Sequence, residues 1–477
     1  MKSRGRIAQC LSGLIGTRVF YQHVIAIVIP IIIQNTVSNV VSLLDNVMIG
    51  RVGTLEMSAV AIANQLFFVF YLCIFGGLAG AGIFATQYAG ASDHEGVRHC
   101  FRIKWMIAIV MIALSFAVFM LIPDKLIGIY LADGTDAADA ASTLAFGMEY
   151  IWIMLLGLIP FAVSQIYAST LREVGETKLP MVASIVAILV NLVFNYLLIF
   201  GKFGFPRLGV AGAAIATVLS RYVETGIIVV YTHVRNDHFS FIRGAYRSVY
   251  VPVKLLEDVC KRGLPLLVNE FFWSSGMAVL LQCYSVRGLD VVAACNITST
   301  VSNMFKVVFL SMGNAVAIMV GQALGANEIR KAKDVAWKLM ALSVASNLVM
   351  GTALFILSPV IPQIYNTSAH VREMAMKMIW VVAAAMPLYS IAHCCYFTLR
   401  SGGRTIITFI FDSGYTWGIC VPVAFLLANM TSMPIVPLYL VVQGLEIIKV
   451  MIGITLVKRG VWVRNIIDHA SAEGEAC

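Results

Sequence analysis

The sequence predicts an all-α integral membrane protein whose twelve transmembrane helices form two pseudo-symmetric six-helix bundles. Three observations predict it: an excess of apolar residues, apolar runs of membrane-spanning length along the whole chain, and motifs that recur between the two halves. Of 477 residues, 60% are hydrophobic and 12% are charged, with mean hydropathy +0.86. A soluble domain carries about 25% charged residues, so this chain could not cover a water-facing surface. The same hydrophobicity excludes disorder.

The apolar runs span 23–48, 58–86, 103–123, 143–168, 179–200, 209–232, 262–285, 290–323, 335–360, 373–398, 405–427 and 434–457. About 20 residues suffice to cross a bilayer, so the longer runs imply tilt or projecting ends. Backbone groups in hydrocarbon must be satisfied within the segment, so the spans are helices. The longest polar stretch holds His233, Arg235, Asp237, His238, Arg243, Arg247, Lys254 and Lys261, and it divides six spans from six. Residues 1–232 are therefore expected to form one lobe, 233–261 a cytoplasmic linker, 262–457 a second lobe and 458–477 a cytoplasmic tail.

Charge sets the orientation. With the N-terminus inside, 24 of the 34 Lys and Arg residues fall in inside segments. Seven fall in outside loops (Arg51, Lys125, Lys202, Arg207, Arg287, Arg372, Lys377) and three lie within spans (Arg221, Lys306, Lys449). Cytoplasmic loops collect basic residues, so both termini are expected in the cytoplasm of a cell membrane. The net charge of +9 then needs no nucleic-acid partner. The loop with Asp124, Asp133, Asp136 and Asp139 falls outside. No signal-peptide cleavage pattern follows the basic stretch Met1–Arg6. The ten cysteines show no metal spacing, and most of them lie in apolar runs as small hydrophobes. Two sequons, at Asn366 and Asn429, lie in or beside outer loops.

The halves are read as copies. A shift of 235 residues places Pro30 on Pro265 and Gln34-Asn35 on Asn269-Glu270. The same shift places Gln87, Gly90 and Ala91 on Gln322, Gly325 and Ala326. A shift of 228 places Thr170-Leu171-Arg172 and Gly175 on Thr398-Leu399-Arg400 and Gly403. Ordered matches in a nearly constant register are a repeat signal. Six spans per copy give both copies the same topology, so the axis relating them runs along the membrane normal. This is a transporter plan, in which one bundle rocks against the other around a central cavity.

Ionisable residues inside spans are costly and mark candidate functional positions. Asp45, near the outer end of span 1, can bind a proton or Na⁺, or snorkel to the outer interface. Glu270 follows Pro265 in span 7, and Asp412 lies at similar depth in span 11, so the two can share a site. Lys306 in span 8 is either a structural partner for one of them or a built-in competitor for the transported cation. Arg221 with Glu224, and Glu446 with Lys449, are three apart on their helices and are expected to neutralise one another. Asn191 and Asn195 share one face of span 5, either as interhelical bonds or as ligands opposite Asp45. Asn35, beside Gln34 in span 1, joins Asn191, Asn195 and Lys306 as a candidate cavity residue. His393 is a lone histidine on an apolar helix, more often a core residue than a proton relay. If some of the many Met and aromatic residues line a cavity, they suit flat, cationic ligands. No Walker A or HExxH sequence is present, so neither ATP drive nor metalloprotease chemistry is indicated.

These motifs together resemble the multidrug and toxic compound extrusion (MATE) family of cation-coupled antiporters. The resemblance runs from about residue 20 to 465. It is carried by Pro30 through Asp45 to Gly50, by Gln87 to Ala91, and by Leu171 to Thr177. Further motifs run from Asn195 to Gly204 and Gly209 to Gly212, and in the second half from Leu264 to Glu270, Gly321 to Ala326 and Leu399 to Gly403. It implies a V-shaped pair of six-helix lobes, no enzyme activity and no cofactor. It also implies export of organic cations or drugs against Na⁺ or H⁺, as a monomer in the bilayer. Asp45 matches the family's span-1 acid, Glu270 its span-7 acid, and Asn191 an amide near the first. The chain departs at Asn195, where some branches carry Asp. It also departs in span 10, where Tyr389, Ser390 and His393 stand near the position of an Asp in others. The second-half site then needs another partner, for which Asp412 is the candidate. The alternatives are a lipid-linked sugar flippase, which needs a cavity rich in Arg and Lys, and a receptor or scaffold, which the duplication disfavours.

Overall fold

The computed structural model describes residues 15–130, 137–365 and 367–467. The basic stretch Met1–Arg6, Asp133, Asp136, the sequon residue Asn366 and the tail beyond 467 lie outside the described residues. Twelve described helices are long and apolar enough to cross a membrane. They are α1 (Arg18–Gly50), α2 (Thr54–Gly90), α3 (His94–Leu121), α4 (Ala137–Glu173), α5 (Lys178–Phe200) and α6 (Gly209–Val234). The remainder are α7 (Val253–Ser285), α8 (Leu289–Gly325), α9 (Ile329–Leu357), α10 (Ala369–Ser401), α11 (Thr405–Met430) and α12 (Ile435–Arg459). No strand occurs among the described residues. Several helices begin well before their apolar runs: α3 starts at His94, nine residues ahead of the run at 103. Polar first turns carry them on past the hydrocarbon.

By its contacts the chain divides into two units. The N-terminal unit comprises Ile33–Ala85 and His94–Leu256. The C-terminal unit comprises the chain up to Ile32, Thr86–Asp93 and everything from Glu257. The division therefore differs from the expected one in two places. The first half of α1 and the end of α2 belong with the later helices. Val24, Ile27, Val28 and Ile31 share one buried apolar cluster with Met312, Val316, Leu339 and Phe397.

The expected linker is a folded element. Arg98 and Arg102 of α3 fix it by donating to its carbonyls. Arg102 alone reaches Ala245 at 2.9 Å, Gly244 at 2.9 Å and Tyr250 at 3.0 Å. From Val253 the chain is already helical, because Leu255 and Val259 face the interior while Lys254, Glu257 and Lys261 face out.

Prolines inside spans leave carbonyls without their usual donor, and neighbouring helices supply one. Pro160 in α4 frees the Leu156 carbonyl, which accepts from the Tyr222 hydroxyl at 3.3 Å. The Pro160 carbonyl itself accepts from Thr225 at 2.6 Å.

The repeat is visible in the backbone. Ser92 and Asn327, 235 residues apart, both adopt positive φ, 60° and 58°. The turns around them carry equivalent bonds, Asp93 N to Tyr88 O and Glu328 N to Ala323 O, each 2.9 Å. Gly175 and Gly403, 228 apart, are likewise left-handed. Within the C-terminal unit the two copies of one motif meet. A Cβ on Gly90 would lie 2.0 Å from the Gln322 carbonyl oxygen, and one on Gly325 would lie 1.8 Å from that of Gln87. The Gln87 side chain, fully buried, donates to Ser401 O at 2.9 Å and to Arg464 O, and accepts from Ile466 N at 2.9 Å.

One buried charge was not singled out in the sequence. Lys104 lies ten residues into α3 with its side chain fully buried. Its ammonium donates to Ser169 Oγ at 2.9 Å, Thr170 Oγ1 at 3.0 Å and Glu173 Oε2 at 2.6 Å, so all three protons are used.

Two predictions follow from this packing. Gly325→Ala has backbone, not a mobile side chain, in its way. It should destabilise the protein by about 1–3 kcal/mol or more, seen as a lower midpoint in thermal unfolding of the detergent-solubilised protein. An unchanged midpoint would contradict the close approach. Lys104→Met or Glu173→Gln alone should cost about 3–5 kcal/mol, because each removes one charge of a buried pair. The double variant should cost clearly less than the two singles added together, which a denaturant double-mutant cycle measures.

Candidate functional site

Two polar clusters stand inside the spanning helices, one in each unit. In the N-terminal unit, Asp45 sits near the end of α1 and faces α5. Asn195 Nδ2 donates to Asp45 Oδ1 at 2.7 Å and to Asn191 Oδ1 at 3.1 Å. Asn191 lies 3.1 Å from Asp45 Oδ1 and 3.2 Å from Oδ2. Its other contact is the Thr217 hydroxyl of α6 at 3.3 Å. With its amide turned, the Asn191 nitrogen donates to the carboxylate and its oxygen accepts from Thr217, and the bond from Asn195 Nδ2 to Asn191 Oδ1 is given up. Asn195 Oδ1 is buried without a hydrogen-bond partner among the described residues. The 3.6-residue period explains the cluster: residues 191 and 195 are one turn apart on α5 and present both amides to the same carboxylate.

A second polar chain continues along α6. Arg221 Nη1 donates to Glu224 Oε2 at 3.2 Å, the local pairing expected from their spacing. Ser184 of α5 donates to Glu224 Oε1 at 2.6 Å, and Gln34 Nε2 of α1 donates to Ser184 Oγ at 2.7 Å. Asn35 is half-buried on α1, but it precedes Asp45 by ten residues. That is about 15 Å along the helix, so Asn35 does not belong to the Asp45 cluster. Tyr150, whose hydroxyl donates to Asn64 Oδ1 at 3.1 Å, lies within electrostatic range of Asp45. Neither Tyr150 nor Thr217 has a sequence signal that would have singled it out, since each is one uncharged polar residue among several on its helix.

The cluster in the C-terminal unit is built on an irregular helix. Around Asp412, α11 opens into π-helical turns over Ile410–Gly414 and Thr416–Cys420. Such turns shift side chains around the helix axis and are frequent at functional sites. The Asp412 carbonyl accepts from Thr416 Oγ1 at 3.0 Å. The carboxylate is held on both sides: Lys449 Nζ of α12 donates to Oδ1 at 2.8 Å, and Asn269 Nδ2 of α7 to Oδ2 at 3.1 Å. Asn269 is fixed in turn by Ser413, whose backbone N–H and hydroxyl donate to its Oδ1. Lys449 thus pairs across helices with Asp412. The expected pairing with Glu446 on its own helix is replaced, and Glu446 lies in electrostatic range of Lys449, Asp412 and Lys306. Lys306 pairs with neither Glu270 nor Asp412 and stands over the Tyr389 ring, 5.4 Å from its centroid. Tyr389 in turn donates its hydroxyl to Gln443.

Glu270 adjoins Asn269 on α7. Among the described residues it makes no hydrogen bond and no ion pair; the charges acting on it are those of Arg400 and Asp412. His393 packs among rings, edge-on to Phe309 and Phe397 and parallel to Tyr396. The structure therefore groups Asp45 with Asn191 and Asn195, and Glu270 with Asn269, Asp412 and Lys449. Asn269 was available to the sequence reading, because the shift of 235 sets it on Gln34.

Comparison with known proteins agrees with this architecture. The profile of the MatE family matches residues 30–197 and again 265–426, so one profile describes both halves. The chain is 23% identical over 410 residues to the probable multidrug resistance protein NorM of Thermotoga maritima, across 86% of each chain. It is 27% identical over 426 residues to the probable multidrug resistance protein YoeA of Bacillus subtilis, across 85% of this chain and 87% of that one. The fold matches an outward-facing structure of a multidrug resistance MATE family transporter of the MOP superfamily. The TM-score is 0.83 at 18% identity, over 94% of this chain and 98% of that one. The chain belongs to the multidrug and toxic compound extrusion family of multi-pass membrane transporters.

Proposed function

We infer that the protein exports small organic cations or drugs by antiport against Na⁺ or H⁺, with Glu270 as the principal coupling residue. The observation that carries this is the contrast between two neighbouring carboxylates. Asp412 has a cation supplied by the chain, whereas Glu270 has no hydrogen bond or ion pair among the described residues. Arg400 acts on Glu270 only through space, and an ionised carboxylate without a contacting partner in a low-dielectric interior costs several kcal/mol. Glu270 must therefore take a proton or a metal cation, and either event is a coupling reaction. Asp45 is the second candidate. The buried, unpartnered Asn195 Oδ1 beside it offers an oxygen to a hard cation.

The names of the curated relatives support a multidrug substrate class. Asn35, Asn191, Asn195 and Lys306 contribute polar groups to the substrate path in this reading. Exchange requires that ion and substrate favour different states of the protein, so that each drives the other's release. The two repeated halves provide the alternating motion. Both termini face the cytoplasm of a cell membrane, as the distribution of Lys and Arg supports.

The test is efflux of a fluorescent organic cation from proteoliposomes under a pure Na⁺ gradient and under a pure pH gradient. One of the two should drive saturable efflux. Glu270→Gln, permanently neutral and without the charge that draws a proton or a metal cation, should lower the driven rate by about tenfold or more, the equivalent of 1.4 kcal/mol. Ion-driven efflux unaltered in that variant would overturn the assignment.

A further inference from the structure

The buried charges of the C-terminal unit form an alternating series. Lys306 lies in electrostatic range of Glu446; Glu446 lies one turn before Lys449; Lys449 holds Asp412; Asn269, the residue before Glu270, donates to Asp412; and Glu270 lies within range of Arg400. Three acids and three bases are present. The series has one irregularity: two carboxylates, Asp412 and Glu270, follow one another with only an amide between them. Of the two, Asp412 has a chain ammonium in direct contact, that of Lys449, whereas Arg400 acts on Glu270 only through space. The Lys449 ammonium is 2.8 Å from Asp412 Oδ1 and stands over the Phe411 ring, 5.5 Å from its centroid. Both partners are largely buried, with side chains 12% and 16% exposed. Asn269 donates to the other carboxylate oxygen, so each oxygen of Asp412 already has a donor from the chain.

A lysine ammonium carries the same charge as Na⁺ or a proton, but it is tied to the backbone and cannot leave with the transported ion. We propose that Lys449 is a tethered cation that fills the Asp412 position in place of a mobile one, and so sets the number of coupling ions that the C-terminal unit takes per cycle at one. This rests on the antiport reading above. It makes Lys449 a residue that determines stoichiometry, acting through Asp412, and it removes Asp412 from the residues that load a mobile ion. The π-helical turns of α11 are the local device that permits it, because they place Asp412 where α7 and α12 both reach it.

The experiment is a reversal-potential measurement on full-length protein in proteoliposomes. A fixed ion gradient is opposed by increasing gradients of the organic cation until net flux is zero, which gives ions exchanged per substrate. Native protein must first show coupling to Na⁺ or to protons. If neither gradient drives it, the antiport reading fails and this proposal falls with it, before any variant is made. In coupled protein, Lys449→Met should raise the count by one ion per substrate, because Asp412 then needs a mobile cation. Lys449→Met combined with Asp412→Asn should return to the native count. Asp412→Asn alone should also keep the native count, whatever its rate, because Asp412 loads no mobile ion. A native count in Lys449→Met, or a count reduced by one in Asp412→Asn, overturns the proposal. Should Lys449→Met fail to fold, the Asp412→Asn result decides alone.

Discussion

A charge inside a helix bundle must find its opposite within a few ångströms, and this constraint organises both units. At 4 Å and an effective dielectric of 20, two unit charges attract by about 4 kcal/mol. Without such a partner the same charge carries a desolvation cost that nothing returns. Lys104 meets the constraint with Glu173 and two hydroxyls, Arg221 with Glu224, and Lys449 with Asp412. Their geometry holds α3 to α4 and α12 to α11. Glu270 does not meet it in the same way: Arg400 and Asp412 act on it without a hydrogen bond or ion pair among the described residues.

How much of this was legible in the sequence depends on the range of each interaction. Twelve helices and the two-fold repeat were legible because hydropathy and register are properties of the chain alone. The turn at Ser92 and its copy at Asn327 show how literally the repeat is kept. Local pairs were legible where one helix supplies both members, as with Arg221 and Glu224. The same rule failed for Glu446 and Lys449. A lysine has a stem long enough to reach a neighbouring helix, and the π-helical turns of α11 bring Asp412 within 2.8 Å. Spacing along one helix carries no information about the rotation of another. Lys104 escaped notice for a related reason: the apolar run begins at 103, whereas the helix begins at His94 and buries its polar end against α4.

The duplicated frame and the charges placed on it have separate histories of use within the molecule. The two halves share their motif turns, their left-handed glycines and the paired Gln-x-x-Gly segments. They do not share their acids. The shift that sets Asn269 and Glu270 on Gln34 and Asn35 puts a carboxylate in one half where the other has an amide. The first half instead carries its acid at Asp45, a different depth of the same helix. The frame therefore fixes where helices meet, and each unit places its buried carboxylates separately.

The buried amide of Gln87 also bears on how the chain is assembled during synthesis. Its partners are 314, 377 and 379 residues further along. At roughly 5–20 residues per second, about 20–80 s separate the making of Gln87 from the making of Ile466. For that interval a polar group destined for full burial has none of its final partners. Helix α2 must wait in a provisional arrangement, satisfied by water or by the insertion machinery, until the chain reaches the segment that closes over it. Completion of the C-terminal unit is thus a late event, and the segment near Trp462 acts as its last fastening.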